Sequence, residues 1–252
     1  MKLIDKTIVV TGATSGIGRC LVEQLIDDNR VVAIGRSVGK LSELKHQLIQ
    51  TDYNRELNDR FIPYVLDLND PDQIKRCVEN FINLNQVDVL INNAAVQFTP
   101  ILTAQEFDVA SIYQEIQTNF SGIVELTYWL LPLLNNSPRA FILNVNSGLA
   151  LSPKTTSAVY CASKSALDSF SQSLSYQLEN SSIGVLQAFL PLVETPMTVG
   201  RGDNKMSPGL AAAEIIRGLE EEKNRHYIGK VKLLVWILTF CPPLARRIMK
   251  RS

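Results

Sequence analysis

A tyrosine and a lysine four residues apart are the residues whose types and spacing best suit acid–base chemistry. Tyr160 and Lys164 belong to the segment Tyr-Cys-Ala-Ser-Lys, and side chains at positions i and i+4 of a helix lie on one face. An isolated phenol ionises at about pH 10, but a neighbouring ammonium stabilises the phenolate and lowers this pKa. Ser147, thirteen residues earlier, supplies a hydroxyl that can bond the same substrate oxygen. The three residues are candidates for proton transfer to or from that oxygen.

A glycine-rich segment near the N-terminus has the composition of a phosphate-binding turn. The run Thr-Gly-Ala-Thr-Ser-Gly-Ile-Gly covers 11–18, between an apolar stretch at 7–10 and a helical pattern. Glycines let the backbone approach a pyrophosphate, and the free N–H groups of a helix N-terminus attract its charge. We expect a dinucleotide to be held by Gly12, Thr14, Ser15, Gly16, Ile17 and Gly18.

The residue after the second apolar stretch bears on the choice of dinucleotide. The stretch 31–34 ends at Gly35-Arg36. An acidic residue here would bond the ribose hydroxyls of NAD, whereas arginine suits the 2′-phosphate of NADP. Arg36 therefore favours NADP(H) over NAD(H), and the alternative is that Arg36 is a solvated charge.

Short β-branched runs alternate with longer amphipathic stretches and predict the scaffold for these residues. Apolar strands this short are typical of a parallel sheet buried on both faces. The alternation indicates one α/β domain over 1–252, a doubly wound parallel sheet of six to seven strands with helices on both faces. Strands are predicted at 7–10, 31–34, 61–66, 87–91, 140–145, 183–189 and 226–228. Helices are predicted at 16–28, 38–50, 71–83, 105–134, 157–179 and 208–223.

The joint pattern resembles the short-chain dehydrogenase/reductase family. The matching features, which span residue 7 to about 200, are the Thr-Gly-x-x-x-Gly-x-Gly loop, Asn92-Asn93-Ala94-Ala95, Asn119, Ser147, Tyr160 and Lys164. The resemblance implies a Rossmann fold and a hydride transfer between a nicotinamide cofactor and an alcohol or carbonyl. It implies that Tyr160 is the acid/base, that Ser147 orients the substrate oxygen, and that Lys164 tunes the tyrosine and bonds the nicotinamide ribose. Asn119 would hold a helix distortion and a water that links the lysine to solvent.

The same resemblance implies further cofactor contacts and shows two departures. Asp67 would face the adenine, Asn93 and Ala94 would line the cofactor, and Val193 and Thr195 would contact the nicotinamide carboxamide. Ala95 replaces a usual glycine, and Leu190-Pro191 replaces a usual Pro-Gly. Proline fixes φ and lacks an N–H, so the chain path beside the nicotinamide is expected to differ. Ser-Gly-Leu-Ala, Tyr-Cys-Ala-Ser-Lys and Pro-Leu-Val-Glu-Thr-Pro-Met resemble the DltE-like branch, which implies a bacterial source.

Composition narrows the class of partner. Lys+Arg and Asp+Glu are both 25, so zero net charge gives no bulk attraction to nucleic acid. Four scattered cysteines indicate reduced thiols in a cytoplasmic protein, with neither a disulfide framework nor a metal site. The family resemblance implies a homodimer or homotetramer through helices 105–134 and 157–179. The substrate is expected to be a small, apolar molecule, because the predicted pocket loops carry Val96, Phe98, Leu149, Leu151 and Met197.

Two segments leave alternatives open. The Pro- and Gly-containing loop 192–208 is expected to be a substrate lid, or else a plain mobile loop. The apolar and basic tail 229–252, which prolines should split into two helical pieces, is expected to pack at the substrate mouth or on a partner subunit. A membrane-surface position is the less favoured alternative. A membrane-spanning helix is least favoured, because the apolar part of the tail is too short and is interrupted by prolines. For the whole chain, an NADP-binding sensor without turnover and a membrane-peripheral enzyme for lipid-like ketones are the rival functions.

Replacing Arg36 by aspartate is expected to move the cofactor preference toward NAD(H), because a carboxylate repels the 2′-phosphate. The measurement is the ratio of kcat/KM with NADPH to kcat/KM with NADH, which should fall at least about tenfold, the loss of one charge-assisted hydrogen bond. Arg30→Asp, before the same strand, is the control. An unchanged ratio in the Arg36 variant would contradict the predicted contact between Arg36 and the 2′-phosphate.

Overall fold

One parallel sheet of seven strands organises the part of the chain that this computed structural model describes, namely 1–51, 57–98 and 101–250. The strand order is β3-β2-β1-β4-β5-β6-β7, and every neighbouring pair is parallel. The strands are β1 (Thr7–Thr11), β2 (Arg30–Gly35), β3 (Phe61–Val65), β4 (Val89–Asn92), β5 (Ala140–Ser147), β6 (Ile183–Leu190) and β7 (Arg225–Tyr227). The predicted doubly wound α/β fold is confirmed.

Helices cover both faces of the sheet. They are α1 (Gly16–Leu25), α2 (Val38–Thr51), α3 (Leu57–Arg60), α4 (Pro71–Glu79), α5 (Ala110–Ile116), α6 (Gly122–Asn135), α7 (Gly148–Leu151), α8 (Ala158–Gln177), α9 (Pro208–Glu220), α10 (Lys230–Phe240) and α11 (Pro242–Lys250). Short 3₁₀ turns occupy Asn80–Asn83 and Pro196–Thr198, and a π-helical segment occupies Gln117–Ser121. The last two helices confirm that prolines divide the tail. No helix in the described ranges is long and apolar enough to cross a membrane.

The sheet separates two apolar cores. Ile8 and Val10 of β1 point into the core beneath α1, α2 and α9, while Val9 points into the core beneath α4, α6 and α8. All three side chains are fully buried, which explains why the strand is an unbroken apolar run. The chain reverses its direction of winding between β1 and β4, and ligands of open α/β sheets bind at the carboxyl ends of the strands at such a point.

The prediction of one continuous helix over 105–134 is wrong. The described residues from 101 to 109 form turns, and α5 begins at Ala110, whose N–H donates to Oδ1 of Asp108 at 2.9 Å. The π-helical segment then separates α5 from α6. Gly122 at its end packs on the backbone of Leu68, where any Cβ would collide with the Leu68 carbonyl oxygen. The interruption is thus set by tertiary packing, which helical periodicity does not report.

Several other predicted helices are shorter than expected. The helix from residue 16 ends at Leu25, and the one from residue 71 ends at Glu79 before its 3₁₀ turn. The helix from residue 208 ends at Glu220, and Glu222 follows with a φ of 52°. A left-handed residue cannot continue a right-handed helix, so this end is fixed by backbone conformation.

Replacing Gly18 by alanine should destabilise the fold, because a Cβ there would collide with the Gly12 carbonyl oxygen and lie 2.6 Å from Nδ2 of Asn93. Overpacking of this kind costs about 1–3 kcal/mol of unfolding free energy. Gly209→Ala is the matched control: no atom lies within 4 Å of the added Cβ, and helical alanine should add about 0.5–1 kcal/mol. Urea unfolding measures both, and equal effects would contradict the packing argument.

Candidate active site

The glycine loop forms an open cradle at the start of α1. Gly16 has a φ of 52°, and a Cβ on it would lie 2.9 Å from Cγ2 of Thr195. Ser15 precedes the helix without a side-chain capping hydrogen bond, so the first N–H groups of α1 are not covered by its hydroxyl. A helix N-terminus bordered by glycines is an anion-binding arrangement, and these residues fit the pyrophosphate of a dinucleotide.

Thr11 fixes this loop to the end of β4. Its Oγ1 accepts hydrogen bonds from the N–H groups of Asn93 and Ala94, both at 2.9 Å. The Asn93 amide donates in return to the Thr11 carbonyl oxygen at 2.9 Å. Sequence reasoning included Thr11 in the glycine-rich run but gave it no role. A threonine at the end of an apolar strand was the available signal, because a buried hydroxyl must find partners.

The predicted cofactor residues at the second and third strands share one cleft with this loop. Arg36, Asp67 and Ser15 line the cleft, which has a volume of about 1080 Å³ and continues toward Val96 and Met197. Arg36 is exposed. Oδ1 of Asp67 accepts from the backbone and side-chain N–H groups of Asn69, both at 3.0 Å. The cleft therefore offers a guanidinium and a fixed carboxylate beside the glycine loop.

Ser147 and Tyr160 meet at the carboxyl end of β5. Ser147 is the last residue of that strand, and its Oγ accepts from the N–H of Leu149 at 3.1 Å. Tyr160 lies on the first turn of α8, buried, and its side chain hydrogen-bonds that of Ser147. A second cavity, of about 700 Å³, opens beside Arg139 at the opposite ends of the strands, away from these hydroxyls.

Lys164 is buried beneath the tyrosine. Its Nζ donates to the carbonyl oxygen of Val145 at 2.9 Å and lies 5.9 Å from the centroid of the Tyr160 ring. Burial lowers the pKa of Lys164 from 10.5 to about 8. The structure thus brings the three predicted acid–base residues together, with the serine and tyrosine in contact and the ammonium behind the ring.

We expected the Lys164 ammonium to lower the pKa of the Tyr160 phenol, but the surrounding protein groups raise it. Burial raises the pKa of Tyr160 above its usual range, and the hydrogen bond with Ser147 only partly offsets this. Desolvation disfavours the phenolate, and a cation 5.9 Å from the ring centroid does not overcome it here. Tyr160 is consequently protonated at neutral pH and is equipped to donate a proton.

Asn119 lies in the π-helical segment and holds the chain after β4. Its Oδ1 accepts from the N–H of Val96 and its Nδ2 donates to the Val96 carbonyl oxygen, both at 2.8 Å. The same Nδ2 donates to Oγ of Ser163 at 3.2 Å, and this hydroxyl donates to the Tyr160 carbonyl oxygen at 2.8 Å. Asn119 therefore links a pocket loop to the helix that carries the tyrosine, while its place in a water relay stays a prediction.

Buried amides that sequence reasoning missed position the same elements. The Asn146 side chain accepts from the N–H of Ser147 at 2.8 Å and donates to the Lys164 carbonyl oxygen at 3.2 Å. It also donates to Gln187 on the neighbouring strand at 3.1 Å. Asparagines in the otherwise apolar run Phe-Ile-Leu-Asn-Val-Asn-Ser were the available signal, because a buried polar side chain must find partners.

A buried carboxylate and a loop arginine flank the tyrosine, and neither was expected. Glu115 is fully buried and accepts from the N–H of Phe98 at 2.5 Å, and Arg201 of the loop 192–208 donates to the Gln97 carbonyl oxygen at 3.0 Å. Burial raises the pKa of Glu115, although the Phe98 hydrogen bond and Arg201 oppose this. The negative charge of Glu115 raises the pKa of Tyr160, and the positive charge of Arg201 lowers it.

The chain beyond β6 runs beside the glycine loop. Leu190 ends the strand, and Pro191 follows it without a cis peptide bond. The buried Val193 pairs with Met206, and the Val193 carbonyl oxygen accepts from the hydroxyl of Thr198 at 2.6 Å. Thr195 packs against Gly16 of the glycine loop. These positions border the cradle, and their nicotinamide contacts stay predictions.

Comparison with known proteins identifies the class that this fold and site define. The family model described as short chain dehydrogenase matches residues 6–205. The chain belongs to this family of NAD(P)-dependent dehydrogenases and reductases. A relative called uncharacterized oxidoreductase DltE, from Bacillus subtilis, is 32% identical over 231 residues, which cover 88% of each chain. Sulfoacetaldehyde reductase 2 of Chromohalobacter salexigens is 30% identical, covering 81% of this chain and 79% of its own length.

Solved structures show the same fold. A short chain dehydrogenase from Burkholderia cenocepacia in complex with NADP superposes with a TM-score of 0.85 at 22% identity and covers 99% of each chain. A short chain dehydrogenase/reductase from Burkholderia phymatum in complex with NAD has a TM-score of 0.81 at 19% identity, covering 95% of this chain and 96% of its own.

Replacing Lys164 by methionine should stabilise the protein at neutral pH. A pKa of about 8 in place of 10.5 means that the folded state carries the charge at a cost on the order of 3 kcal/mol. The unfolded lysine stays protonated to about pH 10.5, so wild-type stability rises between about pH 8 and 10.5 and the advantage of methionine shrinks there. Urea unfolding at pH 7 and pH 10 measures this, with exposed Lys40→Met as the control. A pH-independent difference would contradict the burial cost.

Proposed function

We propose that the protein transfers a hydride between NADP(H) and the carbonyl or alcohol carbon of a small, apolar substrate. The observation that carries this proposal is the contact between the Ser147 and Tyr160 hydroxyls, with the Lys164 ammonium buried behind the phenol. The three groups stand at the carboxyl end of a central strand, where open α/β sheets bind ligands.

The side chains have separable parts in the reduction of a carbonyl. Ser147 donates a hydrogen bond to the carbonyl oxygen, and Tyr160 gives its proton to that oxygen as the alkoxide develops. The Lys164 ammonium stabilises the phenolate that remains and also orients the nicotinamide ribose. The bound cofactor supplies or accepts the hydride. Because the pKa of Tyr160 is raised, its phenol is protonated at neutral pH, which is the form that the reduction of a carbonyl requires.

Arg36 supports NADP(H) as the cofactor. Its guanidinium lines the same cleft as Ser15 and Asp67, and its exposed position leaves the planar donor group open to a phosphate. Proteins of the same fold were solved with NADP in one case and NAD in another, so the preference rests on this residue.

Apolar side chains support an apolar substrate. Val96, Leu149, Leu151 and Met197 are half-buried, and Phe98 is 37% exposed. We further assign the loop 192–208 as a lid, because Arg201 anchors it to the Gln97 backbone beside these residues.

Exposed aromatic residues support self-association of the protein through the segments 105–134 and 157–179, which the family resemblance implied as the interface. Tyr113 on α5, Tyr128 on α6 and Tyr176 on α8 are all more than half exposed. Aromatic side chains are enriched at protein interfaces. A homodimer or homotetramer would use these helices.

Replacing Tyr160 by phenylalanine should lower kcat for carbonyl reduction by about 10²–10⁴, since one proton donor is lost. The dissociation constant of NADPH should stay within a few-fold. A panel of aldehydes and ketones with NADPH consumption as the readout measures the first, and fluorescence titration measures the second. Tyr176→Phe, an exposed tyrosine on the same helix, is the control and should retain activity. Full activity of the Tyr160 variant would refute its role, and NADPH binding without turnover of any carbonyl by the wild type would favour the sensor alternative.

A further inference from the structure

The C-terminal helices are anchored beside the acid–base residues. A Cβ on Gly148, which directly follows Ser147, would lie 3.2 Å from Cγ2 of Val231 on α10. The Thr155 hydroxyl donates to the Lys250 carbonyl oxygen at 2.6 Å and so ties the end of α11 to the loop before α8. The two helices therefore pack beside Gly148 and the loop before α8, at the edge of the region where we propose that the substrate binds.

Their outer side is apolar and exposed. On α10, positions 233, 236 and 240 recur at helical spacing, and the Trp236 and Phe240 rings lie 5.2 Å apart. On α11, positions 244 and 248 share a face. These five residues form what we call the C-terminal apolar face, with exposed fractions between 47% and 70%: Leu233, Trp236, Phe240, Leu244 and Ile248. Exposed apolar clusters rimmed by polar residues mark interaction sites.

The charge around this face has one sign. Residues 229–252 contain six Lys or Arg and no Asp or Glu, although the whole chain has 25 of each class. The first 228 residues therefore carry six more acidic than basic side chains. Lys230 and Lys232 stand at the start of α10, Arg246 and Arg247 lie on α11, and all four are exposed. The chain is neutral only because its tail and its body carry opposite charges.

The exposed apolar face and the basic residues around it together indicate which kind of partner would bind here. Two copies of the face brought together would oppose like charges, whereas an anionic lipid surface would attract them. Tryptophan and phenylalanine beside lysine and arginine are the composition of helices that lie in a bilayer interface. We propose that the C-terminal apolar face docks on the surface of an anionic lipid bilayer, with its aromatic rings at headgroup level. The proposal is independent of the cofactor and of hydride transfer.

Co-sedimentation of the full-length protein with vesicles tests the docking. Binding is expected to vesicles of phosphatidylcholine mixed with phosphatidylglycerol and to be at least tenfold weaker with pure phosphatidylcholine or high salt. The double variant Trp236→Ser/Phe240→Ser should bind at least tenfold more weakly than wild type. Ile4→Ser/Val65→Ser removes two exposed apolar residues elsewhere and should bind like wild type. Unchanged binding of the first double variant would overturn the proposal.

A second set of variants separates charge from apolar contact. Arg246→Gln/Arg247→Gln should weaken binding to the anionic vesicles, while Lys2→Gln/Arg30→Gln, also exposed, should not. Because the chain has two tryptophans, Trp129→Phe leaves Trp236 as the only one, and its emission should shift to the blue on vesicle addition. Circular dichroism and thermal unfolding show that each variant is folded.

Two further results would contradict the proposal. The first is an unshifted Trp236 emission with anionic vesicles. The second is a protein dimer that dissociates in Trp236→Ser/Phe240→Ser while vesicle binding is absent in the wild type, which would identify a second copy as the occupant. Neither result bears on the Tyr160→Phe experiment, so the membrane-docking proposal and the proposed function can be refuted independently.

Discussion

A positive charge held inside the protein governs the arrangement of this site. Lys164 is 3% exposed, and its ammonium donates to one backbone carbonyl of β5. Burying a cation is unfavourable unless it is hydrogen-bonded, so β5 and α8 must keep a fixed separation. The Asn146 side chain reinforces that separation, because it binds both the backbone N–H of Ser147 and the carbonyl oxygen of Lys164. The Ser147 and Tyr160 hydroxyls take their positions from this constraint, which costs the fold some stability.

The second constraint lies at the first strand. Thr11 binds two N–H groups after β4, so the glycine loop and the following chain form one unit. That unit sits where the sheet changes its winding direction, at the same end of the strands as Ser147. Topology thereby brings the glycine loop and Ser147 to one edge of the sheet, where the proposed dinucleotide and substrate would be neighbours.

Much of this could be predicted from the sequence because it depends on local pattern. The alternation of short apolar runs and amphipathic stretches predicted the sheet and its order of elements, and spacing joined Tyr160 to Lys164. The family resemblance implied a helix distortion at Asn119, but helical periodicity did not locate the π-helical break after α5, where Gly122 meets Leu68 across the fold. The raised pKa of Tyr160 was missed for the same reason: desolvation is a property of the folded surroundings and not of the neighbouring letters.

The short segment after β4 is held almost entirely by its backbone. Asn119 binds both polar backbone groups of Val96, Arg201 binds the carbonyl oxygen of Gln97, and Glu115 binds the N–H of Phe98. None of these hydrogen bonds depends on which side chain stands at 96 or 98, except that proline would remove the N–H donor. Those two positions are thus free to drift in evolution, or to be randomised in a library, without loosening the frame that supports them. If Tyr160 is the proton donor that we propose, a lineage built on this arrangement could diversify its substrates while conserving that donor.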